Sequence, residues 1–216
     1  MRVVIAGGHG KIALILERLL ADAGHEPVGL IRNPDHADDI AAAGAVPVVL
    51  DLEAASVDEV AAVLAGADAA VFAAGAGPGS TAERKLTVDR DGAILLSAAA
   101  ERAGVARIVI VSAMRADDFD PDSDDVFQIY LRAKSEADAA VRASSLDWTV
   151  VRPGSLTDAP ATGLVAVGAR LPGGSISRAD VAAVVAAVLT TGAASRTQFD
   201  LTAGDESVAA ALATLD

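Results

Sequence analysis

Short apolar runs recur along the chain between longer alanine-rich segments that carry charge on one face. The runs lack the strict alternation of a half-exposed sheet, so they predict strands buried on both faces, joined by amphipathic helices. Strands are expected at 3–6, 27–31, 46–50, 70–74, 108–112 and 149–152, with a seventh near 199–202. Helices are expected at 11–23, 35–43, 56–64, 84–103, 126–143, 179–189 and 206–214. This alternation predicts an α/β fold, a doubly wound parallel sheet in a single domain spanning 1–216. Right-handed crossovers leave one economical topology, two βαβαβ halves around the first strand, with a ligand crevice at the carboxyl ends of the strands. The glycine-rich stretch 163–177 is the only region left for a substrate lobe, a very small one.

Composition narrows the functional classes. The 216 residues carry 17 Lys+Arg against 30 Asp+Glu, a net charge of −13, which disfavours nucleic acid and anionic membrane surfaces as partners. No cysteine is present, excluding disulfides, thiolate metal sites and cysteine nucleophiles and suiting a cytoplasmic location. The first apolar run is too short for a secretory signal, and the uncharged stretch 181–195 falls short of the roughly 20 residues that span a bilayer. The expected partner is a small molecule, bound by a monomer or homodimer.

Directly after the first strand stands Gly7-Gly8-His9-Gly10-Lys11-Ile12-Ala13. A glycine-rich strand-to-helix turn of this kind suits a pyrophosphate: Gly7 permits the tight turn, Gly10 lets backbone N–H groups approach, and Ala13 packs closely on the sheet. The helix N-terminus adds the positive end of a dipole. At the end of strand two the sequence reads Leu30-Ile31-Arg32-Asn33-Pro34, with no carboxylate for ribose hydroxyls and an arginine suited to a 2′-phosphate. NADP is therefore expected ahead of NAD, with Asp35 near enough to offset part of the Arg32 charge. Asp51 and Leu52 are placed to line the adenine, and Ala73, Ala74 and Gly75 offer a small wall for a flat cofactor.

Tyr130 is the only tyrosine, and Lys134 follows it by one helical turn, on the same face. An adjacent ammonium favours the phenolate and would lower the tyrosine pKa toward general acid–base work. Ser112 closes strand five at the same sheet edge, where its hydroxyl could polarise a carbonyl oxygen.

With these residues in place, the chain resembles the compact, atypical members of the short-chain dehydrogenase/reductases, NAD(P)H-binding proteins of the Rossmann fold. The resemblance rests on Gly7 to Ala13, I-R-N-P from Ile31, V-S-A from Val111, Y-L-R-A-K from Tyr130 and V-R-P-G from Val151, in that order. It implies an oxidoreductase with Tyr130 as proton donor, Lys134 binding the nicotinamide ribose and tuning the tyrosine, and Ser112 orienting the substrate. Arg152, Pro153 and Gly154 would shape the crevice near the nicotinamide. Where the family often carries an asparagine supporting the lysine, this chain has Asp89, able to hold Lys134 electrostatically but not to donate as an amide. The rival readings are a non-catalytic dinucleotide sensor like the NmrA-like regulators and a sugar epimerase or dehydratase using the same residues.

The aspartate-rich run 117–125 departs from a calcium loop at its glycine and terminal acid positions. It reads instead as a lid over the substrate that would discourage anions. His9, His25 and His36 lack metal-ligand spacing, so no metal site is expected; His9 could touch the pyrophosphate, and Trp148 reads as core.

Overall fold

The computed structural model describes residues 1–77 and 79–215. Its elements follow the order β1 (Arg2–Ala6), α1 (Lys11–Asp22), β2 (Glu26–Ile31), α2 (Ala37–Ala42), β3 (Val46–Val49), α3 (Val57–Leu64) and β4 (Ala69–Phe72). A short helix α4 (Ala82–Arg84) passes through a π-helical segment, Lys85–Asp91, into α5 (Gly92–Ala103). Then come β5 (Arg107–Val111), α6 (Val126–Ala143), β6 (Asp147–Pro153), β7 (Ser155–Thr157), β8 (Leu164–Gly168) and β9 (Ser175–Ser177). The chain closes with α7 (Arg178–Thr191), β10 (Thr197–Ala203), β11 (Glu206–Ser207) and α8 (Val208–Leu212).

The central sheet runs β11-β8-β10-β6-β5-β4-β1-β2-β3 and is parallel from β3 through β10. Period-two geometry explains why the central strands are mostly apolar, since alternate residues face opposite buried sides. Val3 and Ile5 of β1 enter a core shared with α1 and α7, while Val4 and Ala6 enter a second core shared with α3, α5 and α6. The strand order reverses between β1 and β4, so the loops after these strands diverge and open a crevice.

Two stretches differ from expectation. The segment 163–177 contributes β8, which pairs antiparallel with β10 (Leu201 opposite Val167), and β9, which pairs with β7 in a two-stranded ribbon. The expected helix 206–214 begins as a strand, β11, pairing with β8 before α8 starts. Among the buried charged groups, Glu17 stands out. Glu17 on α1 is fully buried, with both carboxylate oxygens unpartnered among the described residues. A Cβ on Gly29 would come within 2.6 Å of its Oε1, so glycine there makes room for it. Burial pushes the Glu17 carboxyl up to about 8.

Candidate active site

The crevice holds a cleft of about 310 Å³ at the ends of β1 to β4. Gly7 adopts φ +84°, and a Cβ there would lie 2.6 Å from the Ala74 backbone, so the loop and the wall after β4 approach as only glycine allows. Gly10 precedes α1 in an extended conformation and supplies no side-chain cap, leaving the first-turn N–H donors of α1 without intrahelical acceptors. Such uncapped donors beside a side-chain-free cradle fit a pyrophosphate.

Gly7, His9, Gly10, Arg32, Asp51, Leu52, Ala73, Ala74 and Gly75 all line this cleft. Gly8, Lys11 and Ile12 sit beside it. Gly8 packs on Gly29 and donates to the Leu30 carbonyl at 2.9 Å. Ile12 belongs to the core, and the Lys11 ammonium pairs with Asp158 at 2.6 Å. His9 stacks on His36 with ring centroids 3.6 Å apart and bonds Asp39 at 2.8 Å. The charge offsetting Arg32 is Glu53 rather than Asp35: Glu53 takes Arg32 at 3.0 Å and Arg84 at 2.7 Å. The Arg84 hydrogen bond leads in holding the Glu53 carboxyl below its usual range.

A second cavity, about 620 Å³, opens at the ends of β5 and β6 and is lined by Ser112, Tyr130, Pro153 and Gly154. Lys134 lines neither cavity. It is buried beneath the tyrosine, its Nζ 5.9 Å from the Tyr130 ring centroid and 5.4 Å from that of Phe72. It donates to the Val111 carbonyl at 3.3 Å and pairs with Asp89 at 3.3 Å. Asp89 lies in the π-helical segment, whose wider turn is a common device at functional sites, and its other oxygen accepts from the Ala76 N–H at 3.1 Å. Asp89 therefore does hold the lysine, and it also ties the lysine to the loop after β4.

The electrostatics overturn one expectation. Burial raises the Tyr130 pKa, and although Lys134 opposes this, Asp89 and Asp138 reinforce it, so the phenol lies above its ordinary value. Burial by itself would lower the Lys134 pKa, but Tyr130, Asp89 and Asp138 outweigh it and keep the ammonium charged. A second ammonium, Lys85, stands 5.2 Å from the Tyr130 ring centroid.

Ser112 has a partner that sequence reasoning missed. Its hydroxyl donates to Asp138 Oδ2 at 2.8 Å, and the same oxygen accepts from Arg152 Nε at 2.8 Å. Arg152 is thus drawn off the cavity wall into a buried link between Asp138 and Asp117, which it bonds at 2.7 and 2.9 Å. That link, chiefly its Arg152 hydrogen bond, brings the Asp117 carboxyl down to about 2. Asp138 was detectable in principle: it falls four residues after Lys134 and eight after Tyr130, on one helical face. The run 117–125 does not line the cavity. Asp117 turns to Arg152 and Asp118 to Arg170, at 2.8 Å for the latter, so the expected acidic lid is absent from the cavity wall. Trp148 is buried in the core, and among the described residues no cluster of three or more His, Asp or Glu is placed to hold a metal. Nor is any described helix long and apolar enough to cross a membrane.

Residues 7–192 match the model of a family described as NAD(P)H-binding. The chain belongs to the NAD(P)H-binding family. Within the short-chain dehydrogenase/reductases it is of the atypical type, and the ligand of the family is a nicotinamide cofactor. It is 38% identical over 213 residues to an uncharacterized sugar epimerase of Bacillus subtilis, covering 98% of this chain and 99% of that one. A UPF0659 protein of Saccharomyces cerevisiae is 37% identical, with 95% of each chain covered. Among solved structures, an NAD-dependent epimerase/dehydratase of Bacillus halodurans superposes with a TM-score of 0.90 at 35% identity, covering 100% of both chains. An oxidoreductase of Lactococcus lactis gives 0.87 at 26% identity, covering 100% of this chain and 96% of that one. Sequence reasoning did not reach Glu53 and Arg84 in the first cavity, Arg115 and Arg178 in the second, or Asp138 and Lys85, which contact Ser112 and Tyr130.

Proposed function

We propose that this protein is an NADP(H)-dependent oxidoreductase that reduces a carbonyl group in the cavity lined by Tyr130 and Ser112. The observation that carries the reading is the stacking of functions at one point: Tyr130 and Ser112 share a cavity wall, while Lys134, fixed by Asp89, lies under the Tyr130 ring. A bound reduced nicotinamide supplies hydride there. The chain's own residues manage the proton and the charge. Tyr130, its pKa raised by burial, stays a neutral phenol at physiological pH and is therefore ready to donate its proton to the carbonyl oxygen. The Lys134 ammonium then stabilises the phenolate left behind. Ser112 would fix the oxygen's position by turning its one hydroxyl proton from Asp138 Oδ2, which Arg152 still bonds, to the carbonyl oxygen. The same raised pKa favours reduction over alcohol oxidation, which needs the phenolate as base.

Preference for NADP follows from Arg32 and Arg84, two guanidinium groups converging on Glu53 at the adenosine end of the cleft. A 2′-phosphate would compete with that carboxylate for both forks. A second reading, sugar epimerisation, is favoured by what the Bacillus subtilis relative is called. Against it weigh Met114, Phe127, Leu131 and Leu156, four apolar side chains of the wall that a sugar's hydroxyls could not bond. The test is titration of purified protein with NADPH and NADH, then a carbonyl and nucleotide-sugar panel followed at the nicotinamide absorbance. Tighter NADPH binding and net NADPH oxidation by a carbonyl are expected. Tighter NADH binding would refute the arginine argument, epimerised sugar with no net oxidation would establish the second reading, and inertness across the panel would favour a sensor.

A further inference from the structure

Sequence alone suggested an acidic approach to the substrate, yet the charged side chains on the second cavity's wall are Arg115 and Arg178. No carboxylate lines it among the described residues. We infer that this cavity takes a carbonyl compound carrying a carboxylate on an apolar body, with Arg115 receiving the carboxylate and Arg178 as the second cation. Only the word carbonyl rests on the proposed reductase reading.

Arg115 is unusual in three respects. First, in a chain of net charge −13 it has no carboxylate partner among the described residues; its guanidinium donates through Nη2 to the Pro172 carbonyl at 3.1 Å. A guanidinium has five donors, so a face of the fork remains for a ligand. Second, its backbone is left-handed, φ 62° and ψ 23°, a conformation that costs a non-glycine residue about 1 kcal/mol and persists where surrounding structure imposes it. Third, it follows Ser112 by three residues, so the strand end that places the serine also places the cation.

Arg178 adds charge despite being paired. It bonds Asp158 at 2.6 Å, but Asp158 also binds Lys11 at 2.6 Å, so one carboxylate serves two cations and the trio is left with a net +1. Added to Arg115, the rim carries +2. Apart from Ser112, Tyr130 and Ser155 the side chains of the wall are apolar, chiefly Met114, Phe127, Leu131 and Leu156, and Phe127 is 61% exposed, a large aromatic left at the mouth. Gly154, Gly173 and Gly174 complete it without side chains, and a Cβ on Gly154 would run into the Gly174 carbonyl. A planar fork above an apolar chamber suits a monoanionic carboxylate; a phosphate dianion generally gathers more donors than one free guanidinium.

The test reads binding separately from turnover. Protein loaded with NADP⁺, which has no hydride to give, is titrated by saturation-transfer NMR with a panel of aryl and alkyl aldehydes as carboxylates and as methyl esters, 4-formylbenzoate and its ester among them. Benzyl phosphate serves as the phosphate arm. The acids are expected to bind at least tenfold more tightly than their esters. Arg115→Gln should erase that preference, Arg115→Lys should restore part of it, and Arg178→Gln should weaken it about threefold, with NADPH affinity unchanged within twofold and thermal melts confirming folded variants. Esters binding as tightly as acids, absence of binding by every acid, tighter binding of benzyl phosphate, or an acid preference surviving in the Arg115→Gln/Arg178→Gln double variant would each overturn the inference. Acid binding without NADPH oxidation would instead refute the reductase reading and leave this one standing. Oxidation driven equally by esters and acids would do the reverse.

Discussion

The two cavities of this molecule are built in different ways. The cleft after β1 to β4 is made of short loops, and the part of it beside the start of α1 is backbone and small residues: Gly7, Gly10, Ala73, Ala74 and Gly75. The neighbouring cavity draws on the ends of β5 and β6, one face of α6 and the segment around Gly173 and Gly174, and its character comes from side chains. The first has the side-chain-free cradle that any dinucleotide could use; the second presents side chains particular to this chain. Generic recognition through backbone tolerates no added atoms, whereas particular recognition through side chains is tuned one residue at a time.

That difference can be broken experimentally. Gly7→Ala puts a Cβ within 2.6 Å of the Ala74 backbone at a positive φ. It should weaken NADPH binding by at least about 100-fold by equilibrium titration, while binding of a carboxylate probe in the second cavity survives. Unimpaired NADPH binding would mean that the close approach of loop and wall is dispensable.

Next in size is Glu17, beneath the glycine loop. Its folded-state pKa of about 8 lies above the ordinary value of 4.5, so below pH 4.5 it is protonated in both folded and unfolded chains and costs nothing. As pH rises toward 8 the unfolded chain ionises it while the folded chain must keep its proton, and stability falls. Glu17→Gln should therefore match the parent near pH 4.5 and exceed it by on the order of 3 kcal/mol at pH 8 in denaturant unfolding. A gain that does not depend on pH would show that folding does not raise the pKa of this carboxyl.

The smallest effect sharpens the cofactor assignment. Arg84→Ala removes one of the two forks on Glu53 and should weaken NADPH about tenfold while leaving NADH nearly unchanged. Equal losses for both cofactors would place Arg84 outside any 2′-phosphate site.

The same contrast explains what the sequence disclosed. Past the arginines that open β1 and β5, the strands β1, β4 and β5 are buried apolar runs, and a glycine loop directly after the first announces its own geometry, so the sheet and the cleft beside that loop were readable. Residues 153–177 were not. The strands β7 and β9 have three residues each, and β8 is defined by its register on β10, more than thirty residues away. Long-range pairing likewise hid the charges. Glu53 meets Arg84 across 31 positions, and Arg152 leaves the cavity because Asp117 and Asp138 reach it from α6 and the loop before it. Tyr130 and Lys134 were visible from helical spacing, but the direction of the Tyr130 shift was not, since burial rather than the neighbouring ammonium decides it.

The central claim is that these two cavities form one reaction site, with Tyr130 as its proton donor. The most direct measurement is steady-state NADPH oxidation by Tyr130→Phe alongside its NADPH dissociation constant. The account predicts a fall in kcat of about 1,000-fold or more with NADPH affinity within twofold of the parent. Turnover retained at the parent rate would contradict it.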